Sequence, residues 1–130
     1  YNAKVVTYWP EFGAHGKRDL SVADVMRHEA GLAAFDISLK AEDLHREQIK
    51  RNAIGAIIER QTQNFRGAGE DNWREYHALT RGWIVNEIFR RVDPERRTVG
   101  EFLRDDVAGP LGVDAMIGVP EADLPRISKV

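Results

Sequence analysis

Tyr76-His77-Ala78-Leu79-Thr80-Arg81-Gly82-Trp83 is the stretch on which the reading of this chain turns, because a long polar segment gives way there to helical spacing. From Leu79 to Val92, the residues Ile84, Val85, Ile88, Phe89 and Val92 recur three and four apart, which places them on one arc of a helix. Leu79 and Trp83 fall nearly opposite that arc, so the first turns are expected to be embedded on two sides. Asp93-Pro94 ends the helix, since the residue before a proline is pushed out of helical geometry. Upstream, Gln63 to Glu75 has two glycines, two asparagines and several charges but no period, and is expected to be an irregular loop. Tyr76 stands at the junction, a phenol at the mouth of a helix.

Working outward, the pattern stays helical. Ala41 to about Thr62 places Ile49, Ala53, Ile54, Ile57 and Ile58 on one face and predicts a single helix, which Gly55 weakens slightly. Ser21 with Asp24 opens a helix expected to run to Ala30, where Gly31 takes the left-handed conformation that ends helices. Thr98 with Glu101 opens another by the same capping chemistry. It carries Val99, Phe102, Leu103 and Val107 inward and stops at Gly109-Pro110. Lys4 to Trp9 is compatible with a short helix or a strand, and Gly13 to Lys17 with a loop. Met116-Ile117-Gly118-Val119 is a candidate short strand. The fold class is therefore mainly α, without the set of long strands that a complete α/β hydrolase needs.

A chain of 130 residues is one domain by length, and 42% hydrophobic with 31% charged residues is a globular composition. A net charge of −2 with both signs interspersed gives no reason to expect nucleic acid or an anionic membrane as partner. No apolar run is long enough to span a membrane. The absence of cysteine excludes disulfides and thiolate chemistry. Tyr1-Asn2-Ala3-Lys4 has neither an initiator Met nor a signal-peptide pattern, so the start is expected to be internal to a longer polypeptide.

Most catalytic constellations fail on spacing. His28-Glu29 begins like His-Glu-x-x-His, but Leu32 stands where the second imidazole belongs, so no metal site is assigned and His28 is expected to close a helix end near the terminal carbonyls. Gly67-Ala68-Gly69 lacks the residues that make a phosphate cradle, and no cofactor is implied. Asp105-Asp106 falls on the outward side of its helix. None of Ser21, Ser38 and Ser128 stands in a nucleophile elbow or three residues before a lysine, and Ser21 is best spent as a cap. Taken alone, Tyr76 reads as an anchor with its ring buried and its hydroxyl wet.

Four landmarks in order change that reading: Tyr8-Trp9-Pro10-Glu11-Phe12, His28-Glu29-Ala30-Gly31-Leu32, Tyr76 to Trp83, and Pro110-Leu111-Gly112. Together, from about Val5 to Pro120, they resemble the middle of a serine β-lactamase-like hydrolase, the family that also holds penicillin-binding proteins and related esterases. The resemblance implies a single partial domain over residues 1–130, the helical subdomain of the β-lactamase/transpeptidase-like fold, lacking most of the antiparallel sheet. It implies that Tyr76 matches the tyrosine of the family's Tyr-x-Asn element and is the catalytic general base. A phenol with an ordinary pKa of about 10 needs a neighbouring ammonium to serve at neutral pH, and the family takes it from the Lys of Ser-x-x-Lys. Attack of the Ser hydroxyl on an ester or amide carbonyl then gives an acyl-enzyme that water releases.

This chain contains no Ser-x-x-Lys and no Lys-Thr-Gly or His-x-Gly, which are expected to flank it in the longer protein. Ala78 replaces the Asn of Tyr-x-Asn, which points toward esterase-like branches. His77 and Ala78 are the candidate substrate-binding residues, His77 either adding a polar group at the rim or simply facing solvent. Tyr8 to Phe12 and His28 to Leu32 are read as packing scaffold. The alternative is a non-catalytic helical interaction module derived from the same scaffold. If a sheet normally covers the Ile49/Ile54/Ile57 or Ile84/Ile88 stripes, the chain exposes them and self-associates.

Overall fold

A computed structural model describes residues 1–65 and 74–127. Ser21 caps the first α-helix, α1 (Val22–Met26), as expected: its hydroxyl accepts from Asp24 N–H while the Asp24 carboxylate accepts from Ser21 N–H. The helix ends four residues earlier than the sequence predicts. His28 takes φ 65° and Gly31 φ 69°, so the chain turns twice and leaves the helix before Ala30. Gly31 also lies so close to the carbonyl oxygen of Phe65 that any side chain would collide with it.

The expected helix from Ala41 to Thr62 is a 3-10 turn (Ala41–Leu44) followed by α2 (Arg46–Lys50) and α3 (Ala53–Arg60). The break falls at Asn52, in the left-handed region at φ 71°, which Asn tolerates better than most residues. The Asn52 amide accepts from Arg91 and donates to Glu59, over a surface left open by Gly55. Gly55 is thus a point of close approach between α3 and the next helix, where Glu87 comes near.

That next helix, α4 (Thr80–Val92), runs almost as the spacing predicts, with Ile84 and Ile88 buried. Its start differs from expectation. Leu79 is 79% exposed, whereas Trp83 packs half-buried against the core as expected, so the second side of the first turn is covered only in part; Val92 is also exposed. The buried face includes Glu87 and Arg90, which hydrophobic spacing alone does not identify.

After α4, Asp93 closes a turn by accepting from the Arg97 backbone and guanidinium. Thr98 then caps α5 (Val99–Phe102) with Glu101, as expected. The helix does not stop at Gly109-Pro110: it widens to π geometry over Leu103–Ala108 and finishes as α6 (Gly109–Leu111). Proline has no N–H and crowds the carbonyl four residues back, and a widened turn accommodates both. Gly112 ends it at φ 62°. Val107 is exposed, contrary to its expected inward position, and Met116 to Val119 form no strand.

Among the described residues the sole β pairing is an isolated bridge between Lys4 and Ser21, and Val5–Thr7 and Pro10–Gly16 are 3-10 turns. Those turns roof the core: Val5, Trp9 and Phe12 pack in one cluster with Val25, Leu32, Ile49, Ile54, Ile57, Ile58, Ile84 and Ile88. The isoleucine stripes, which would lie bare if a sheet normally covered them, are covered from within the chain. Exposed apolar side chains gather instead at the C-terminal end, at Leu111, Val113, Ile117 and Leu124. Buried Lys17 fastens the roof by donating to the carbonyls of Ala14, Glu59 and Gln61.

Candidate active site

Two irregular segments run side by side ahead of α4, and their mutual hydrogen bonds fix Tyr76. Glu75 N–H donates to the carbonyl of His28 (3.3 Å), and His77 N–H donates to Nδ1 of the His28 imidazole (2.9 Å). One residue thereby holds the backbone N–H groups of both neighbours of Tyr76. Further along, Leu32 N–H donates to His77 Nε2 (2.9 Å), and Thr80 Oγ1 donates to the Leu32 carbonyl (2.5 Å). Glu29, nearly buried, accepts from Arg27 and from Arg74, which ties down the strand of chain arriving at Tyr76. The Arg74 and Arg27 hydrogen bonds hold the Glu29 carboxyl below the usual range.

On this support the Tyr76 side chain is 70% exposed. Its ring is not buried as an anchor would be; the ring touches His28, with centroids 4.8 Å apart and planes inclined by 49°. The hydroxyl makes no hydrogen bond among the described residues and faces outward from a backbone held on both sides. The phenol is thus exposed while the backbone on either side of it is held by the protein.

His77 lies elsewhere than the rim. It is 1% exposed, with Nε2 accepting from Leu32 and Nδ1 within 2.6 Å of the Glu75 carbonyl, so neither nitrogen is free for a substrate. The expectation of a solvent-facing or rim imidazole is corrected: sequence position beside an exposed Tyr says nothing about which side of the backbone a neighbour occupies. Ala78 is exposed, and its N–H donates to the Tyr76 carbonyl (3.0 Å). None of Tyr76, His77 and Ala78 lines the cavity of about 810 Å³ between α2, Trp83 and Asn86 of α4, and the C-terminal segment. Gly67-Ala68-Gly69 lies outside the described residues.

His28 is the residue whose role local sequence misses. Its positive φ turns the imidazole away from the carbonyls of α1, which it was expected to cap, and toward Tyr76 and α4, where Arg81 Nη1 stands 3.0 Å from Nε2. Loss of hydration, reinforced by the charge of Arg81, His77 and Arg74, lowers the His28 pKa. The signal available in sequence was only the His28 to Leu32 landmark as a unit, with no period to assign directions to its side chains.

Comparison with known proteins places this arrangement in a class. The family model Beta-lactamase matches residues 1–129, and the chain belongs to that family of β-lactamase-like hydrolases and esterases. It is 35% identical over 132 residues to the esterase/β-lactamase LipL of Mycobacterium tuberculosis, covering 100% of this chain and 28% of that protein. Among solved structures it is similar to a penicillin-binding protein homologue from Caulobacter crescentus, with a TM-score of 0.79 and 32% identity over 97% of this chain and 32% of that one. It is likewise similar to a family VIII carboxylesterase, with a TM-score of 0.78 and 33% identity over 97% of this chain and 33% of that one. The chain thus spans about a third of the length of the relatives it matches, and its helical architecture is the helical part of their fold.

Proposed function

We propose that Tyr76 is the general base of a serine hydrolase that cleaves a small-molecule ester or amide through an acyl-enzyme. The Ser-x-x-Lys nucleophile and the third motif come from parts of a longer protein. The observation that carries this reading is an exposed phenol, both of whose neighbours are held by their backbone N–H groups, at the entry to α4, in a chain whose relatives include an esterase/β-lactamase and a carboxylesterase. An ammonium brought near that oxygen favours the phenolate and equips it to take the serine proton. Ala78, exposed beside it, contributes a small wall of the substrate cleft, and the absence of an amide at this position favours esters over β-lactams. His77 contributes only through the backbone it holds. No metal or cofactor enters this scheme.

The test uses two proteins. In the longer protein, Tyr76→Phe is expected to slow acylation by a fluorophosphonate or a p-nitrophenyl ester about 100-fold or more, the usual worth of a positioned general base, with little change in thermal stability. Unchanged acylation removes Tyr76 from catalysis. The 130-residue chain by itself has no nucleophile in a recognisable setting and is expected to remain unlabelled. Covalent labelling of it refutes the assignment of the nucleophile to a flanking segment.

A further inference from the structure

We propose that His28 is the positioning residue for Tyr76, clamping the backbone N–H groups of its two neighbours and backing its ring while neutral, and that protonation of the imidazole opens the clamp at His77. The proposal rests on reading Tyr76 as the proton-transfer group, yet the clamp itself is measurable without turnover.

The geometry is specific. The His28 carbonyl accepts from Glu75 N–H, the imidazole Nδ1 accepts from His77 N–H, and the ring packs on the Tyr76 ring at 4.8 Å. A neutral imidazole has one acceptor nitrogen and the protonated ring has none. With Nδ1 as that acceptor, the proton of the neutral ring sits on Nε2, toward the Arg81 guanidinium; on protonation Nδ1–H also points at His77 N–H, so the contact that holds the Tyr76 segment becomes donor against donor. The groups facing His28 make the same demand. Arg81 approaches from α4 and Arg74 from the segment carrying Tyr76, and both guanidinium groups disfavour a further positive charge, as does the adjoining His77 imidazole. On its own segment, the nearby Glu29 carboxylate is already engaged by Arg27 and Arg74. The imidazole is therefore held as an uncharged acceptor at neutral pH and loses that role on acidification.

The backbone at His28 supplies a discriminating variant. At φ 65° the position suits Asn better than nearly any other non-glycine residue. The Asn side-chain oxygen falls close to where Nδ1 lies and accepts without titrating. His28→Asn is thus expected to keep the His77 N–H bond and the Tyr76 setting while removing the pH response; His28→Ala loses both the acceptor and the ring.

The experiment follows the ring protons of Tyr76 and the ¹⁵N shifts of His28 by NMR in the 130-residue chain from pH 8 to pH 4. Expected results are three: His28 Nδ1 is the acceptor at pH 8, its midpoint lies below the ordinary His value of about 6.5, and the Tyr76 ring shifts with that same midpoint. In His28→Asn the Tyr76 ring is expected to stay in its pH 8 position throughout. Tyr76 signals that ignore the His28 titration, or a response that persists unchanged in His28→Asn, overturn the proposal. These outcomes are independent of acylation. A failed clamp with an intact Tyr76→Phe defect overturns only the role of His28, and an intact clamp without that defect overturns only the role of Tyr76.

Discussion

A carboxylate at the exit of α4 illustrates how much one side chain can settle. Asp93 accepts from the Arg97 backbone N–H (2.9 Å) and from its Nη2 (2.9 Å), and Arg97 continues to Asp106 (3.0 Å) in the π segment, so one acid joins the turn to the helix beyond it. The Arg97 guanidinium, aided by the Arg97 backbone N–H, holds the Asp93 pKa down to about 2 from an ordinary 3.8. The folded state then binds fewer protons than the unfolded state between those values, so stability falls on acidification through that window and is fully present above it. Asp93→Asn is expected to be less stable than the native chain at pH 6. The gap should close between pH 4 and pH 2 in urea unfolding measured across pH, and a gap independent of pH contradicts the linkage. Asp93 was legible only as a helix stop before Pro94. At this scale the sequence also singled out Tyr76 correctly as the residue at a helix mouth, but it placed His77 and Leu79 on the wrong sides, because the irregular backbone before α4 has no period.

At the scale of elements, caps were read well and breaks were not. Both capping boxes, at Ser21 and Thr98, depend on residues three apart and form locally, so a short window contains all the information they need. The break between α2 and α3 lies on an arc where Ile49, Ile54, Ile57 and Ile58 remain compatible with one continuous helix. It is decided by Asn52 reaching Arg91 and Glu59 across the interface with α4. That interface is centred on Glu87, fully buried, which accepts from Arg90 Nη2 (2.9 Å) and Arg91 Nη1 (2.6 Å), while Arg91 also lies 3.9 Å from the centre of the Trp9 ring. Glu87→Ala leaves two largely buried guanidinium groups without their carboxylate and is expected to cost about 3–5 kcal/mol by urea denaturation. A loss below 1 kcal/mol shows that Glu59 and solvent can replace it.

Across the whole molecule, the covering of the isoleucine stripes by Trp9 and Phe12 joins the first turns, α3 and α4 in one apolar cluster. Trp9 is locked further by its indole N–H donating to Glu59 (2.8 Å). Unfolding followed by tryptophan fluorescence and by far-ultraviolet circular dichroism is accordingly expected to give coincident transitions for the 130-residue chain; separated transitions break the single-cluster account. Self-association through the apolar side chains at the C-terminal end, and not through the stripes, is expected to be abolished by Leu111→Ser with Ile117→Ser in sedimentation experiments and left unchanged by a conservative change at Ile54; association that survives the double change places the contact elsewhere. By itself the sequence determined the helical class, the caps, the family and the position of Tyr76, because each rests on spacing within a few residues or on ordered landmarks. Tertiary structure alone decided where Asn52 breaks a helix, that His28 clasps Tyr76, and that the N-terminal turns close the core, since those outcomes depend on groups tens of residues apart meeting through buried hydrogen bonds.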